Sequence, residues 1–136
     1  MEKALGHKAA QFRFEESVYA GFDNDLTYHI RPVASENMVL GNSDSGENNA
    51  RIVSEPIDAD NRGQYWSIKT IDLHTFAVEN AFYGQNFDDG GGNASIDYLL
   101  QWPAVAGIWN NAKFHFEHVA GEKNTYMIIS AGKSDK

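Results

Sequence analysis

Apolar and polar side chains alternate in short runs along this chain. Phe12 and Phe14 alternate with Arg13 and Glu15, and Leu26, Tyr28 and Ile30 alternate with Thr27, His29 and Arg31 up to Pro32. Met38 with Leu40 is closed by Gly41, and Ile52 with Val53 is ended by Pro56. Trp66 with Ile68 and Phe76 with Val78 follow, then Ile96 to Leu100 with Trp102 before Pro103. Phe114 with Phe116 and Tyr126 with Ile128 complete the series. A period of two sends successive side chains to opposite faces of an extended chain, so each run predicts a short strand with one face buried. No segment of ten or more residues holds a 3.6-residue apolar period, and the fold class is all-β.

The stretches between these runs are rich in Gly, Asn, Asp and Ser, the residues that turns use. NSDSGENN (Asn42 to Asn49), DADNRG (Asp58 to Gly63), FDDGGGN (Phe87 to Asn93) and AGEKN (Ala120 to Asn124) all read as loops.

Two markers recur. In AAQFRFE, GQYWSI and NAKFHFE an apolar ring precedes a second apolar side chain by two residues. The three rings, Phe12, Trp66 and Phe114, are 54 and 48 residues apart. The pairs Tyr28 with Ile30, Phe76 with Val78 and Tyr126 with Ile128 are 48 and 50 residues apart. A unit of about 48 residues with four short strands, used three times, predicts a β-trefoil. One such unit cannot bury its apolar face, whereas three close a barrel and cap it. The chain starts near a fourth strand and finishes just after a first one, so the third repeat is expected to be split between the termini. Residues 1–136 then form a single domain, as 136 residues would suggest.

The triplet QYW, Gln64 to Trp66, resembles the Gln-x-Trp element of the ricin-B-like β-trefoil lectin family. Ala9 to Phe14 and Asn111 to Phe116 occupy the equivalent places, with Phe for Trp and no Gln in the Gln64 position. In those lectins the element is chiefly structural, so the resemblance implies the fold first and carbohydrate binding second.

Composition narrows the function. A net charge of −8 opposes nonspecific binding to nucleic acid or anionic lipid. No run reaches transmembrane length, and the first residues lack the apolar stretch of a signal peptide. The expected setting is cytoplasmic, or release without a classical signal, with no membrane insertion. There is no cysteine, hence no disulfide and no thiol nucleophile. Hydrolase, metalloprotease, phosphate-loop and dinucleotide fingerprints are absent, and no catalytic residue, cofactor or metal is expected. His115 and His118, three apart on one strand, point to opposite faces about 10 Å apart along it, which is no shared metal site. The acidic loops lack the order of an EF-hand. Asn93-Ala94-Ser95 is a glycosylation acceptor by pattern alone.

Sugars offer an apolar ring face and hydroxyls, so a shallow site needs an aromatic platform beside short amides or carboxylates. The second repeat is best supplied, with Glu79, Asn80, Tyr83, Trp102, Trp109, Asn110 and Asn111. The resemblance places an acidic residue after the first strand, an aromatic on the third and an asparagine before the closing motif. Here these are Glu79, where the family has aspartate, Trp102 and Asn110. The first repeat offers Asp60 and Asn61, but its third strand, RIVSEP, carries no ring. The expected partners are glycans or glycoproteins, with one site per chain, so crosslinking would require a homo-oligomer. The alternative is a protease inhibitor. The chain also resembles fungal trefoil inhibitors of cysteine proteases, which would act through the loops Asn42 to Asn49 and Asp88 to Asn93.

Overall fold

A computed structural model describes residues 11–17, 19, 26–35, 37–89, 99–103 and 112–130. They form β1 (Phe12–Glu16), β2 (Tyr28–Pro32), β3 (Met38–Gly41), β4 (Val53–Pro56) and β5 (Trp66–Asp72). Then come β6 (Thr75–Asn80), β7 (Gln85–Asp88), β8 (Leu100–Pro103), β9 (Phe114–His118) and β10 (Thr125–Ser130). A 3-10 turn, Arg62–Gln64, precedes β5. The all-β reading holds.

Strands β5, β2, β1, β10, β9 and β6 pair antiparallel in that order, and β5 pairs with β6 to close the ring. Closure leaves these six strands without a free edge. The register explains the recurring rings. Phe12 faces Tyr126, Trp66 faces Tyr28, and Phe114 faces Phe76. The two markers of each sequence repeat are therefore cross-strand partners, three times over. One step along the hairpins, Phe14 faces Ile30, Ile68 faces Val78, and Phe116 faces Ile128.

These pairs point inward and form the core. Ile30, Val78, Ile128, Trp66 and Phe114 are fully buried, and Phe12 and Phe14 nearly so. Burying side chains of this size contributes about 1.5–3 kcal/mol each relative to exposure. Between the barrel strands of the first repeat lies the hairpin β3–β4, and between those of the second lies β7–β8. The corresponding place in the third repeat falls after β10 and before β1, as a repeat split between the two ends of the chain requires.

Turn chemistry matches the loops. Ser43, Asp44 and Asn49 have positive φ in the Asn42 to Asn49 loop, and Gly121 and Asn124 do so in the β9–β10 turn. Asp72 Oδ1 accepts from the His74 amide at 3.1 Å and sets the β5–β6 tip. Two elements differ from the sequence reading. Phe87 and Asp88, read as loop, belong to β7, whose sequence QNFD is buried along its whole length. Its amides and carboxylate hide the alternation that identifies other strands. The strand expected from Ile96 begins at Leu100 among the described residues, and 96–98 lie outside them.

Candidate functional site

The Gln-x-Trp triplet is built into the frame. Gln64, fully buried, donates from Nε2 to Glu55 Oε1 at 3.0 Å and to the Pro56 carbonyl at 3.1 Å. Its Oε1 accepts from the Asp58 amide at 3.0 Å. Trp66, also fully buried, donates from Nε1 to the Leu40 carbonyl at 3.0 Å. The triplet thus ties β3 and β4 to β5.

A second set of buried amides joins the two hairpins. Asn42 Nδ2 donates to Gln101 Oε1 at 3.0 Å, and Asn42 Oδ1 accepts from the Ser45 amide at 3.2 Å. Gln101 Nε2 donates to the carbonyls of Ser45 and Glu47 at 2.9 and 2.7 Å. The loop Asn42 to Asn49 is therefore fastened to β8 of the next repeat rather than hanging free. These amides carry no periodic signal, and only their distant partners reveal their use.

The sequence-predicted site residues separate into groups. Asn80 is buried at 1% exposure, and its Oδ1 accepts from the amides of Phe82 and Tyr83 at 2.9 and 2.8 Å. Its Nδ2 donates to the Arg62 carbonyl at 3.3 Å. Its side chain turns the chain out of β6. Tyr83 leans on the first repeat's loop, its hydroxyl donating to Asp44 Oδ1 at 2.6 Å. That hydrogen bond, with burial and the nearby Asp44 charge adding to it, raises the phenol above its ordinary range. The Arg62 guanidinium lies 5.8 Å from the ring centroid.

Glu79 and Trp102 come together through a residue that the sequence reading missed. Glu79 on β6 faces Asn86 on β7, and Asn86 faces Trp102 on β8. Directly opposed residues of antiparallel strands share a face, so Glu79, Asn86 and Trp102 form one row across three strands. Neighbouring strands lie about 4.8 Å apart, which puts the ends of the row about 10 Å apart along the sheet. Trp102 is half-buried, Asn86 is almost wholly buried, and Glu79 is paired with Lys69 Nζ at 3.2 Å. Trp109, Asn110 and Asn111 lie outside the described residues, as does Asn93-Ala94-Ser95. In the first repeat, Asn61 is occupied in capping, its Oδ1 accepting from the Gly63 amide at 2.8 Å.

Among the described residues the histidine side chains share no site. His115 Nδ1 lies 2.8 Å from the His74 carbonyl, and His118 Nε2 lies 2.9 Å from that of Glu122. Among the described residues no three His, Asp or Glu groups are placed to hold a metal ion. No helix among them is long and apolar enough to cross a membrane.

No family model matches the chain, and no curated protein matches it. Among solved structures it is similar to a designed three-fold symmetric protein, ThreeFoil, with a TM-score of 0.61 at 12% identity. The match covers 91% of this chain and 76% of that one. The likeness establishes the fold: the closed six-stranded barrel with its capping hairpins is a β-trefoil.

Proposed function

We propose that this protein binds carbohydrate through a shallow site on its second repeat, centred on Trp102. The observation that carries this reading is the row Glu79, Asn86, Trp102. It sets an indole, an amide and a carboxylate side by side on one face of the sheet. A pyranose needs that combination: a flat apolar surface for its ring and acceptors for its hydroxyls. Glu79 accepts a sugar hydroxyl at one end of the row and Trp102 stacks at the other. Tyr83, Trp109, Asn110 and Asn111 belong to the same repeat. The ricin-B-like resemblance of Gln64 to Trp66 supports the same reading.

The test is tryptophan emission during titration with ligands chosen from a glycan array. Trp66 is fully buried and gives a constant background. The Trp109→Phe protein therefore reports on Trp102 alone. A binding glycan is expected to quench or shift its emission. Trp102→Ala should remove binding, measured by calorimetry, without altering the far-ultraviolet spectrum. An array without hits at high protein concentration would sink the reading and direct attention to protein partners.

A further inference from the structure

Among the described residues, one end of the barrel holds a cavity. Phe14, Ile68 and Phe116 are equivalent positions of the three repeats, as are Tyr28, Phe76 and Tyr126. These six side chains line a cavity of about 560 Å³, with Glu16 and Asn124 at its mouth. That volume lies within the usual range for small-molecule sites. The repeat is broken at this end: the first unit carries Ile68 where the others carry the larger Phe14 and Phe116.

The walls are almost entirely aromatic. Phe76 and Phe116 are stacked with centroids 4.8 Å apart, and Phe14 meets Phe116 at 5.2 Å and Tyr126 at 5.6 Å. Ring faces carry negative potential and attract cations. At the mouth Glu16 is solvent-exposed and supplies a carboxylate. Among the described residues, those lining the cavity include no lysine, arginine or histidine. Burial raises the Tyr28 phenol above its ordinary range, and the nearby Glu16 charge raises it further. A chain net charge of −8 acts in the same direction.

We propose that this end of the barrel is a binding site for a small organic cation, an ammonium group attached to an apolar or aromatic body. The body packs among Phe14, Ile68, Phe76 and Phe116. The ammonium group sits between the rings of Tyr28 and Tyr126 and faces the Glu16 carboxylate. A fatty acid or other organic anion suits the walls but meets repulsion at the mouth. The site lies on the barrel axis and shares no residue with the row at Trp102, so the two readings stand or fall separately.

Three probes of similar size separate the contributions: benzyltrimethylammonium, benzyl alcohol and phenylacetate. Each is titrated by calorimetry, and the site is located from amide shifts of Phe14, Ile68 and Phe116 in nuclear magnetic resonance spectra. The cation is expected to bind at least tenfold more tightly than the alcohol, with phenylacetate weakest. Glu16→Gln, at an exposed position, should weaken the cation severalfold and leave the alcohol unchanged. Ile68→Trp should fill the cavity and abolish binding of all three. Equal affinities for the three probes, no binding of the cation at millimolar concentration, or shifts confined to other residues would each overturn the proposal.

Discussion

The side-chain amide of Gln64 donates to Glu55 Oε1 at 3.0 Å, and both belong to one buried junction of β4 with the start of β5. The same side chain also serves the Pro56 carbonyl and the Asp58 amide. Gln64→Leu keeps the volume but leaves those polar groups without their partner, at a cost of about 1–3 kcal/mol for each buried group left unsatisfied. Urea unfolding should show a lower midpoint with an unchanged slope. A variant as stable as the parent would remove the amide from the account of the fold.

Gly63, beside Gln64, has no room for a side chain. A Cβ there would lie 1.8 Å from Asn42 Oδ1 and 2.8 Å from the Asp44 backbone nitrogen. Gly63→Ala must displace the Asn42 side chain that Ser45 and Gln101 depend on. The expected loss is at least the 1–3 kcal/mol typical of overpacking, about the same in sign as breaking the amide set itself. Thermal unfolding of Gly63→Ala and Asn42→Ala, singly and together, should show less than additive losses.

His29 gives the fold a pH dependence with a defined sign. It is buried at 6% exposure against Tyr65, ring centroids 4.6 Å apart, and its Nε2 has no hydrogen-bond partner among the described residues. Burial lowers its pKa, Arg31 lowers it further, and Glu15 opposes both. The folded protein therefore resists a proton that the unfolded chain accepts near the ordinary histidine value of about 6.5. Stability is complete above that value and falls as pH drops from it through the lowered folded value. His29→Gln should flatten the stability curve in that window, measured by denaturant unfolding. Parallel curves for parent and variant would exclude His29 as the cause.

Glu15 acts at lower pH. The Arg31 hydrogen bond lowers its pKa first, burial opposes this, and the charges of Arg31, Arg13 and His29 add to the lowering. Its contribution is present above the ordinary glutamate range and lost as pH falls through the lowered value. Glu15→Gln should reduce the slope below about 4.3 and, by removing the charge that opposes the lowering at His29, extend the His29 slope to lower pH. The pair is half-exposed, so the change in midpoint should be small.

The barrel was legible in the sequence because its strands are half-buried and its repeats keep their aromatic markers. Tyr28 and Trp66 each stand out locally, and each recurs at nearly the same period, which predicts three equivalent units. The capping hairpins are harder to read. QNFD is buried on both faces through polar groups, so β7 shows no alternation. The candidate site was legible as residue types, not as an arrangement. Glu79 and Trp102 were recognisable, but the residue that links them, Asn86, is identified only by strand register. Asn80 looks like a ligand in sequence, yet its carbonyl oxygen is bonded to the next turn. Whether an amide faces outward or serves its own backbone depends on one rotation that the sequence does not encode locally.

The pairing of Phe12 with Tyr126 has a consequence for the order in which the chain acquires its shape. Strand β1 is synthesised well before β10, one of its two barrel neighbours, which follows about 110 residues later. Until then β1 has only β2 beside it, and its other edge stays open to foreign strands. Such a ring cannot close progressively behind the ribosome; its last seam joins segments synthesised far apart in time. Contacts of such long range slow folding, and this seam is the slowest of them to form.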